Sequence, residues 1–317
     1  MADGDGRVAG LVQGLYQPEG KPRVDFRQPA GEPALAAPDS VSWRVFKNPV
    51  SLFVGGVTAV ILELAEPRVR TGVWEHSSFR RDPLPRLKRT GLAAMVTVYG
   101  ARSVAERMIA GVRRMHDKVT GDTPAGAAYR ANDVELLDWV QATASFGFME
   151  AYHAYARPLT NADRDRFYAE AAPAAALYGA VGAPASVAEW ETQLAAMLPR
   201  LERHEIVFEF LGLMRSTAIL PAPLRGLQGA LIRAAVAITP AEVRAVVGLG
   251  REWDLGPVEG RLVRWAGAAA DRLPVKGTPA VEACQRMGLP ADYLYKPLSR
   301  RERVSKGHRS GRVQELS

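Results

Sequence analysis

Residues 86–116 read RLKRTGLAAMVTVYGARSVAERMIAGVRRMH and contain two helical patterns around which the rest of the chain can be arranged. In the first, Arg86, Arg89 and Thr90 follow the i, i+3 and i+4 spacing, so a helix places all three on one face. In the second, His116 follows an apolar stripe at helical spacing that consists of Val104, Met108, Val112 and Met115. The stretch therefore predicts two consecutive helices, the second ending near a histidine.

A histidine at the edge of an apolar stripe, with arginines supplied from elsewhere, admits two interpretations. One is a haem pocket, in which imidazole binds iron, apolar side chains cover the porphyrin, and guanidinium groups neutralise propionates or polarise the oxidant. The other is a hydrogen-bonded or surface histidine, which is the more common situation on a half-apolar helix. The spacing of His116 alone leaves both interpretations open.

The composition favours an all-α fold with a single helical domain over residues 41–298. The chain has 317 residues, of which 47% are hydrophobic and 24% charged, and its segments are rich in Ala and Leu without regular alternation. Residues 1–40 are rich in Gly, Pro and Ala, which predicts an arm that is either flexible or draped on the domain. The net charge of +7 is partly local, because residues 299–317 form a basic tail. Such a tail is usually a solvated terminus and less often an arm that binds nucleic acid or membranes.

The cysteine count and the apolar segments limit the other classes of protein. Cys284 is the only cysteine, so an intramolecular disulfide and sites built on several thiolates are excluded. The first residues, MADGDGRVAG, do not resemble a signal peptide. The longest apolar run, residues 50–62, is too short to span a bilayer, and we interpret it as a core helix loosened by Gly55 and Gly56. We therefore expect a cytoplasmic protein without a transmembrane segment.

Capping signals predict about 9–12 helices. Asn48-Pro49 begins one over residues 49–65, which Glu66-Pro67 breaks, and the following segment with Glu75 and His76 is predicted to be a loop or short helix. Gly100 and Gly121 should delimit the helix that bears His116. Further helices are expected over residues 133–157, 162–178, 187–204, 223–238, 240–248 and 257–273, the first capped by Asn132 or Asp133 and others by Thr160 or Asn161, Ser186 and Thr239. Residues 205–214 are strongly apolar.

No common catalytic or nucleotide-binding motif is present. The sequence lacks G-x-G-x-x-G after a strand, G-x-x-x-x-G-K-[ST], H-E-x-x-H and G-x-S-x-G. No two of the five histidines have the spacing of a helical zinc or di-iron site; they are His76, His116, His153, His204 and His308. Either a cofactor supplies most of the chemistry, or the protein is not an enzyme.

Four linked runs carry a resemblance to a known family. They are GVWEHSSFRRDPLPRLKRT, VYG, VRRMHDKVTGDTPAGAAYRANDVELLDWVQAT and YARPLTNADRDRFYAE. In order and spacing they resemble the catalytic domain shared by latex-clearing rubber oxygenases and mpaB-type oxygenases. The resemblance implies an all-helical fold with a globin-like core that binds b-type haem. By motif match it implies that His116 is the proximal iron ligand and that Arg86, Arg89 and Thr90 form the distal R-x-x-K/R-T motif.

Two positions depart from the family pattern. Latex-clearing members have a lysine, which can ligate iron, where this chain has Arg89. Arginine stays protonated and has no lone pair to offer, so we expect Arg89 to donate hydrogen bonds to the oxidant instead. Relatives often read WVHAT where this chain has Gln141, which puts any proton transfer at that position in doubt. Glu75 and His76 are either acid–base groups of the pocket or braces of a loop.

Three functional hypotheses follow. The first is a haem b-dependent oxygenase or oxidoreductase that uses dioxygen or peroxide to oxidise a small apolar organic substrate, with Arg89 and Thr90 orienting the oxidant and Arg86 pairing with a propionate or bracing the helix. Latex is not the expected substrate, because no secretion signal is visible. The second hypothesis is a haem-binding sensor or carrier without turnover. The third is a helical interaction module with a basic nucleic-acid-binding tail, although we expect no nucleic-acid partner.

Overall fold

Helices form nearly all of the regular structure in residues 23–297, the part of the chain that the computed structural model describes (the side chain of Pro223 excepted). Thirteen α-helices lie within this part, somewhat more than expected. They are α1 Val41–Phe46, α2 Pro49–Ala65, α3 Pro67–His76, α4 Pro83–Tyr99, α5 Arg102–His116, α6 Val134–Tyr155, α7 Asn161–Tyr178, α8 Val187–Met197, α9 Glu205–Ser216, α10 Arg225–Ile238, α11 Ala241–Val247, α12 Pro257–Ala270 and α13 Pro279–Arg286.

A short antiparallel hairpin and four 3-10 turns complete the described part. The hairpin pairs β1, Thr120–Asp122, with β2, Ala128–Arg130. The 3-10 turns are Leu198–Arg200, Ala222–Leu224, Arg251–Trp253 and Tyr293–Tyr295. The prediction of an all-α, single-domain fold is confirmed, since one continuous hydrophobic core connects residues from Phe26 to Leu294.

The central contact of the core is the packing of α2 along α6, the most extensive helix pair in the described residues. Gly55 of α2 faces Gly147 of α6, and a Cβ on Gly147 would lie only 2.4 Å from the carbonyl oxygen of Gly55. Gly55 therefore allows close backbone approach, and its role is packing rather than the loosening expected from the sequence. α10 and α12 pack against the same pair.

Several predicted helix starts are confirmed. The side chain of Asn48 accepts hydrogen bonds from the backbone of Val50 and Ser51 at 3.1 and 3.2 Å, and Pro49 occupies the first turn of α2. Thr160 and Ser186 cap α7 and α8 in the same way. Thr239 does not cap α11: its hydroxyl donates to the carbonyl of Ala235, because Pro240 takes the capping position.

After the break at Glu66 the chain forms α3, which is the short-helix alternative for the segment with Glu75 and His76. The Glu66 carboxylate accepts from the backbone of Val69 at 2.8 Å and caps this helix. Other expected boundaries were wrong. α5 ends at His116 rather than at Gly121, which lies in β1. The hairpin and α13 were not predicted, and α8 ends at Met197, well before residue 204.

Residues 23–40 pack on the domain, so this part of the arm predicted for residues 1–40 is draped rather than flexible. Phe26 is 2% exposed, and its carbonyl accepts from the buried guanidinium of Arg286 at 2.7 Å. The backbone N–H of Gly31 donates to the carbonyl of Arg286. The guanidinium of Arg286 anchors the chain here by donating to the backbone carbonyls of Phe26 and Glu32. Residues 1–22 and the predicted basic tail, residues 299–317, lie outside the described residues.

Between residues 23 and 297, each helix taken singly is too short or too polar to cross a bilayer. α2 and α3 meet that test only when taken together, and they are bent by 109° at the break between them.

Candidate functional site

The helix α4 divides into a buried half and a half that borders open space. Met95, Val96, Val98 and Tyr99 anchor its C-terminal half in the core. None of residues 83–94 is buried, and a Cβ on Gly91 would meet no atom within 4 Å. Arg86, Arg89 and Thr90 all lie in this open half. Of the three, Arg89 and Thr90 are exposed, whereas Arg86 is half-buried.

Arg86 and Thr90 are joined directly, as their spacing predicts. The guanidinium of Arg86 donates to the Thr90 hydroxyl. That hydroxyl donates in turn to the carbonyl oxygen of Arg86 at 3.0 Å. Thr90 therefore holds the Arg86 side chain against its own helix and fixes the direction of the guanidinium.

Arg89 is exposed and lies beside Arg86. Its Nη2 donates to the hydroxyl of Ser78 at 2.9 Å, in the connection between α3 and α4. Partial burial is the main cause of the lowered pKa of Arg86, and the positive charge of Arg89 lowers that pKa further. The two guanidinium groups thus lie near each other, but Arg89 is tethered toward the α3–α4 connection.

Glu63 is the residue of this site that the sequence analysis did not identify. It lies near the end of α2, and burial raises the pKa of its carboxyl to about 7, against the opposing effects of the Arg86 guanidinium and the Thr143 hydroxyl. Partial burial also lowers the pKa of Arg86, while Glu63 opposes that shift. Burial therefore outweighs mutual attraction for both groups, although an arginine remains charged at any physiological pH.

His116 ends α5 and lies within reach of the same arginine. Burial lowers the pKa of its imidazole, the positive charge of Arg86 adds to this effect, and Asn132 and Asp117 oppose it. The imidazole is therefore favoured in its neutral form, which is the form that binds metals. Arg86 is the link of the site, because it interacts with Glu63, Thr90, Arg89 and His116.

The two ring nitrogens of His116 differ in their surroundings. Nδ1 is buried and has no hydrogen bond of normal geometry, and the same holds for Oδ1 of Asn132. Asn132 is close enough to favour the charged imidazole, and its amide nitrogen is fixed by the Arg113 carbonyl at 3.1 Å and by Asp117 at 2.6 Å. A small rotation of the imidazole would pair Nδ1–H with Oδ1 of Asn132 and leave Nε2 as the atom with a free lone pair.

The surroundings of His116 fit a haem group. Only Ala105 and Ile109 of α5 are buried, while the predicted apolar stripe beside His116 keeps accessible surface, up to 62% for Met115. A neutral imidazole beside an amide oxygen, an apolar wall that protein does not fully cover, and nearby guanidinium groups are the components that haem requires. Among residues 23–297 no cluster of three or more His, Cys, Asp or Glu side chains could hold a metal ion.

Glu75 and His76 lie at the end of α3 and contact the hairpin. His76 Nε2 lies 3.2 Å from the hydroxyl of Tyr129 in β2. Burial raises the pKa of Tyr129, and the carboxylate of Glu75 adds to the shift. Both α3 side chains are exposed, and their contacts are with Tyr129 rather than with Arg86 or His116. In this structure they brace the hairpin.

Two other polar residues of α6 make local contacts. Gln141 Nε2 lies 3.3 Å from the hydroxyl of Ser145, one turn further along the helix. His153 Nδ1 accepts from the backbone of Leu159 at 3.0 Å and so stabilises the chain after the helix end. His153 is therefore a structural histidine.

Comparison with known families identifies the class of domain. The profile described as the catalytic domain of ER-bound oxygenase mpaB/B'/rubber oxygenase matches residues 43–271, more than half of the chain. This range includes Glu63, Arg86, Arg89, Thr90 and His116. No curated protein and no solved structure shows significant similarity to the chain.

Proposed function

Since the chain belongs to the mpaB/rubber oxygenase catalytic-domain family, we propose that it is a haem b-dependent oxygenase acting on a small apolar organic substrate. The observation that supports this proposal most is the placement of His116 beside Arg86, with the amide of Asn132 nearby and a partly exposed apolar stripe on the same helix. Bound haem would supply the activation of dioxygen or peroxide. The following steps concern only what the residues of this chain do.

His116 is the proposed iron ligand. Its lowered pKa keeps the imidazole neutral, so little free energy is spent on removing a proton before it binds. Asn132 is the proposed partner of Nδ1: a hydrogen bond between them would fix the ring orientation and leave Nε2 as the atom that would hold iron. A histidine whose second nitrogen is held in this way binds iron more strongly than one that rotates freely.

Arg86, Arg89 and Thr90 are the proposed polar groups of the site. Arg86, fixed by Thr90, provides a positive charge near His116, suitable for pairing with a propionate. Arg89 has one donor on Ser78 and further N–H groups left for the oxidant. Donors that are already oriented stabilise developing negative charge without a reorganisation cost at the moment of reaction.

Glu63 is the proposed proton-exchanging group. With a pKa of about 7 its carboxyl is populated in both forms near neutral pH, whereas an ordinary glutamate is fully ionised. General acid–base catalysis is most efficient when the pKa of the group lies near the working pH. The neighbouring guanidinium of Arg86 stabilises the carboxylate when the proton leaves.

The absorption spectrum of freshly purified protein tests the cofactor, and consumption of the oxidant tests turnover. We expect a Soret band, a pyridine haemochrome spectrum of b-type haem, and uptake of dioxygen or peroxide that depends on an added apolar substrate. Haem without substrate-dependent uptake would indicate a sensor or carrier. Protein that neither contains nor binds haem would indicate a helical interaction module and contradict the proposal.

A further inference from the structure

The outer face of α12 carries an apolar strip that the described part of the chain leaves uncovered. Val258, Leu262 and Trp265 recur at i, i+4 and i+7, and they are 73%, 46% and 70% exposed. Leu273, just beyond the helix, is 59% exposed. An exposed tryptophan within a continuous apolar strip is unusual for a soluble surface and indicates an interaction site.

The inner face of α12 is held firmly, so the strip has a fixed direction. Gly260, Val263 and Gly267 are buried. A Cβ on Gly267 would lie 2.1 Å from the carbonyl oxygen of Tyr155, which shows how closely α12 packs on the end of α6. The outer side chains can therefore meet a partner without any local unfolding of the helix.

Unpaired arginines flank the strip. Arg261 and Arg264 are exposed on one side of it, and Arg272 follows the helix end. Within residues 23–297 none of these three arginines forms a salt bridge. Glu259, on the other side of the strip, is paired with Arg233 at 2.8 Å. The strip is thus an apolar surface with a net positive border.

We propose that the outer face of α12 binds the surface of an anionic lipid bilayer. Leu262, Trp265 and their apolar neighbours would enter the interface between headgroups and acyl chains, where tryptophan is favoured. Arg261, Arg264 and Arg272 would contact lipid phosphates. This inference does not depend on the proposed oxygenase activity, because it uses residues other than those around His116.

A second copy of the chain fits this surface less well. A helix of 14 residues is about 21 Å long, so its outer face offers roughly 200–300 Å², well below the ~800 Å² per partner of a stable interface. A two-fold contact between identical strips would also bring the arginine borders of the two copies together. A bilayer, in contrast, offers an apolar layer below a negatively charged surface.

Vesicle co-sedimentation of the full-length protein tests the proposal. We expect binding to vesicles of phosphatidylcholine mixed with phosphatidylglycerol, weaker binding at high salt, and much weaker binding to phosphatidylcholine alone. Trp265→Glu should lower the affinity about tenfold or more, and Arg261→Glu or Arg264→Glu about fivefold or more each. Val181→Glu, which places the same charge on an apolar residue that is 74% exposed after α7, should leave binding unchanged.

Fluorescence locates the contact independently of these charge changes. Lipids with brominated acyl chains should quench part of the tryptophan emission of the wild type. Trp265→Phe should still bind the vesicles but lose that quenching. Unchanged binding of Trp265→Glu would assign membrane affinity to another surface, such as the basic tail, and overturn the proposal. Absence of binding to the mixed vesicles would also overturn the proposal. A concentration-dependent dimer that Trp265→Glu abolishes would overturn it as well.

Discussion

The carboxyl of Glu63 on α2 and the guanidinium of Arg86 on α4 lie close enough to stabilise each other's charge, yet burial still raises the pKa of Glu63 to about 7. Arg86 is in turn close to His116. One arginine therefore connects a carboxyl that titrates near neutral pH with the histidine that we propose as the iron ligand.

The raised pKa of Glu63 predicts a pH-dependent stability. The folded protein holds the proton more tightly than the unfolded chain, whose glutamates titrate near pH 4.3, so the stabilising contribution is complete below that pH and is lost as pH rises toward 7. Between about pH 5 and about pH 8 the free energy of unfolding should fall by roughly 1–3 kcal/mol from this group. Urea denaturation at a series of pH values measures it.

Glu63→Gln separates this effect from other titrations. The variant should show a flatter stability profile over the same pH range, since glutamine keeps the shape but carries no ionisable proton. Glu106→Gln, a substitution at an exposed glutamate of α5, is the matched control and should reproduce the wild-type profile. Parallel profiles for wild type and Glu63→Gln would show that Glu63 ionises normally.

The contact between Gly55 and Gly147 predicts a large effect of one methyl group. In Gly147→Ala the new Cβ would lie 2.4 Å from the Gly55 carbonyl oxygen, so α2 and α6 must separate. We expect a loss of about 2–4 kcal/mol in the free energy of unfolding. Gly212→Ala in α9, where nothing lies within 4 Å, should be neutral or stabilising by about 0.5–1 kcal/mol. Equal stability of the two variants would contradict the close packing.

The buried ion pair of Lys47 and Asp271 predicts a large loss of stability when the carboxylate is removed. Lys47 Nζ lies 3.0 Å from Asp271, and both side chains are at most 3% exposed. Asp271 also accepts from the hydroxyl of Tyr152 at 2.9 Å. Asp271→Ala removes the counter-charge of the buried Lys47 and the acceptor of the Tyr152 hydroxyl, which should cost about 3–5 kcal/mol in chemical denaturation. Glu209→Gln, which breaks the exposed pair with Arg80, should cost less than about 1 kcal/mol.

Arg89 predicts a distinct spin state for the haem that we propose. Because arginine has no lone pair for iron, the ferric protein should be high-spin in electron paramagnetic resonance. Arg89→Lys supplies an amine that can ligate iron and should shift the signal toward low spin. Arg89→Ala should keep its haem but lose a donor for the oxidant, with a rate about 10²-fold lower. A low-spin wild-type signal that persists in Arg89→Ala would assign distal ligation to another side chain.

Local signals in the sequence predicted the helices well, because a cap depends on a few neighbouring residues. Asn48-Pro49 and Thr160 are examples in which side chain and backbone meet within three positions. The same logic was available at Glu66-Pro67, which is both the end of α2 and the capped start of α3. The hairpin was missed because three residues per strand give too short an alternation to recognise.

The site was only partly predictable for a different reason. Arg86 and Thr90 share a helix, so their contact follows from spacing. Glu63 occurs at the end of an apolar run, and its approach to Arg86 depends on how α2 and α4 are arranged in space, which no local pattern encodes. Asn132 appeared to be a helix cap, and its position beside His116 likewise arises from tertiary structure.

The haem content of His116→Ala tests the central claim most directly. The wild type should purify with non-covalently bound b-type haem, since no C-x-x-C-H attachment motif exists. His116→Ala should lose most of it, and added imidazole should partly restore the spectrum. His204→Ala, at the N-cap of α9, should keep the wild-type haem content. Full haem content with an unchanged spectrum in His116→Ala would contradict the account.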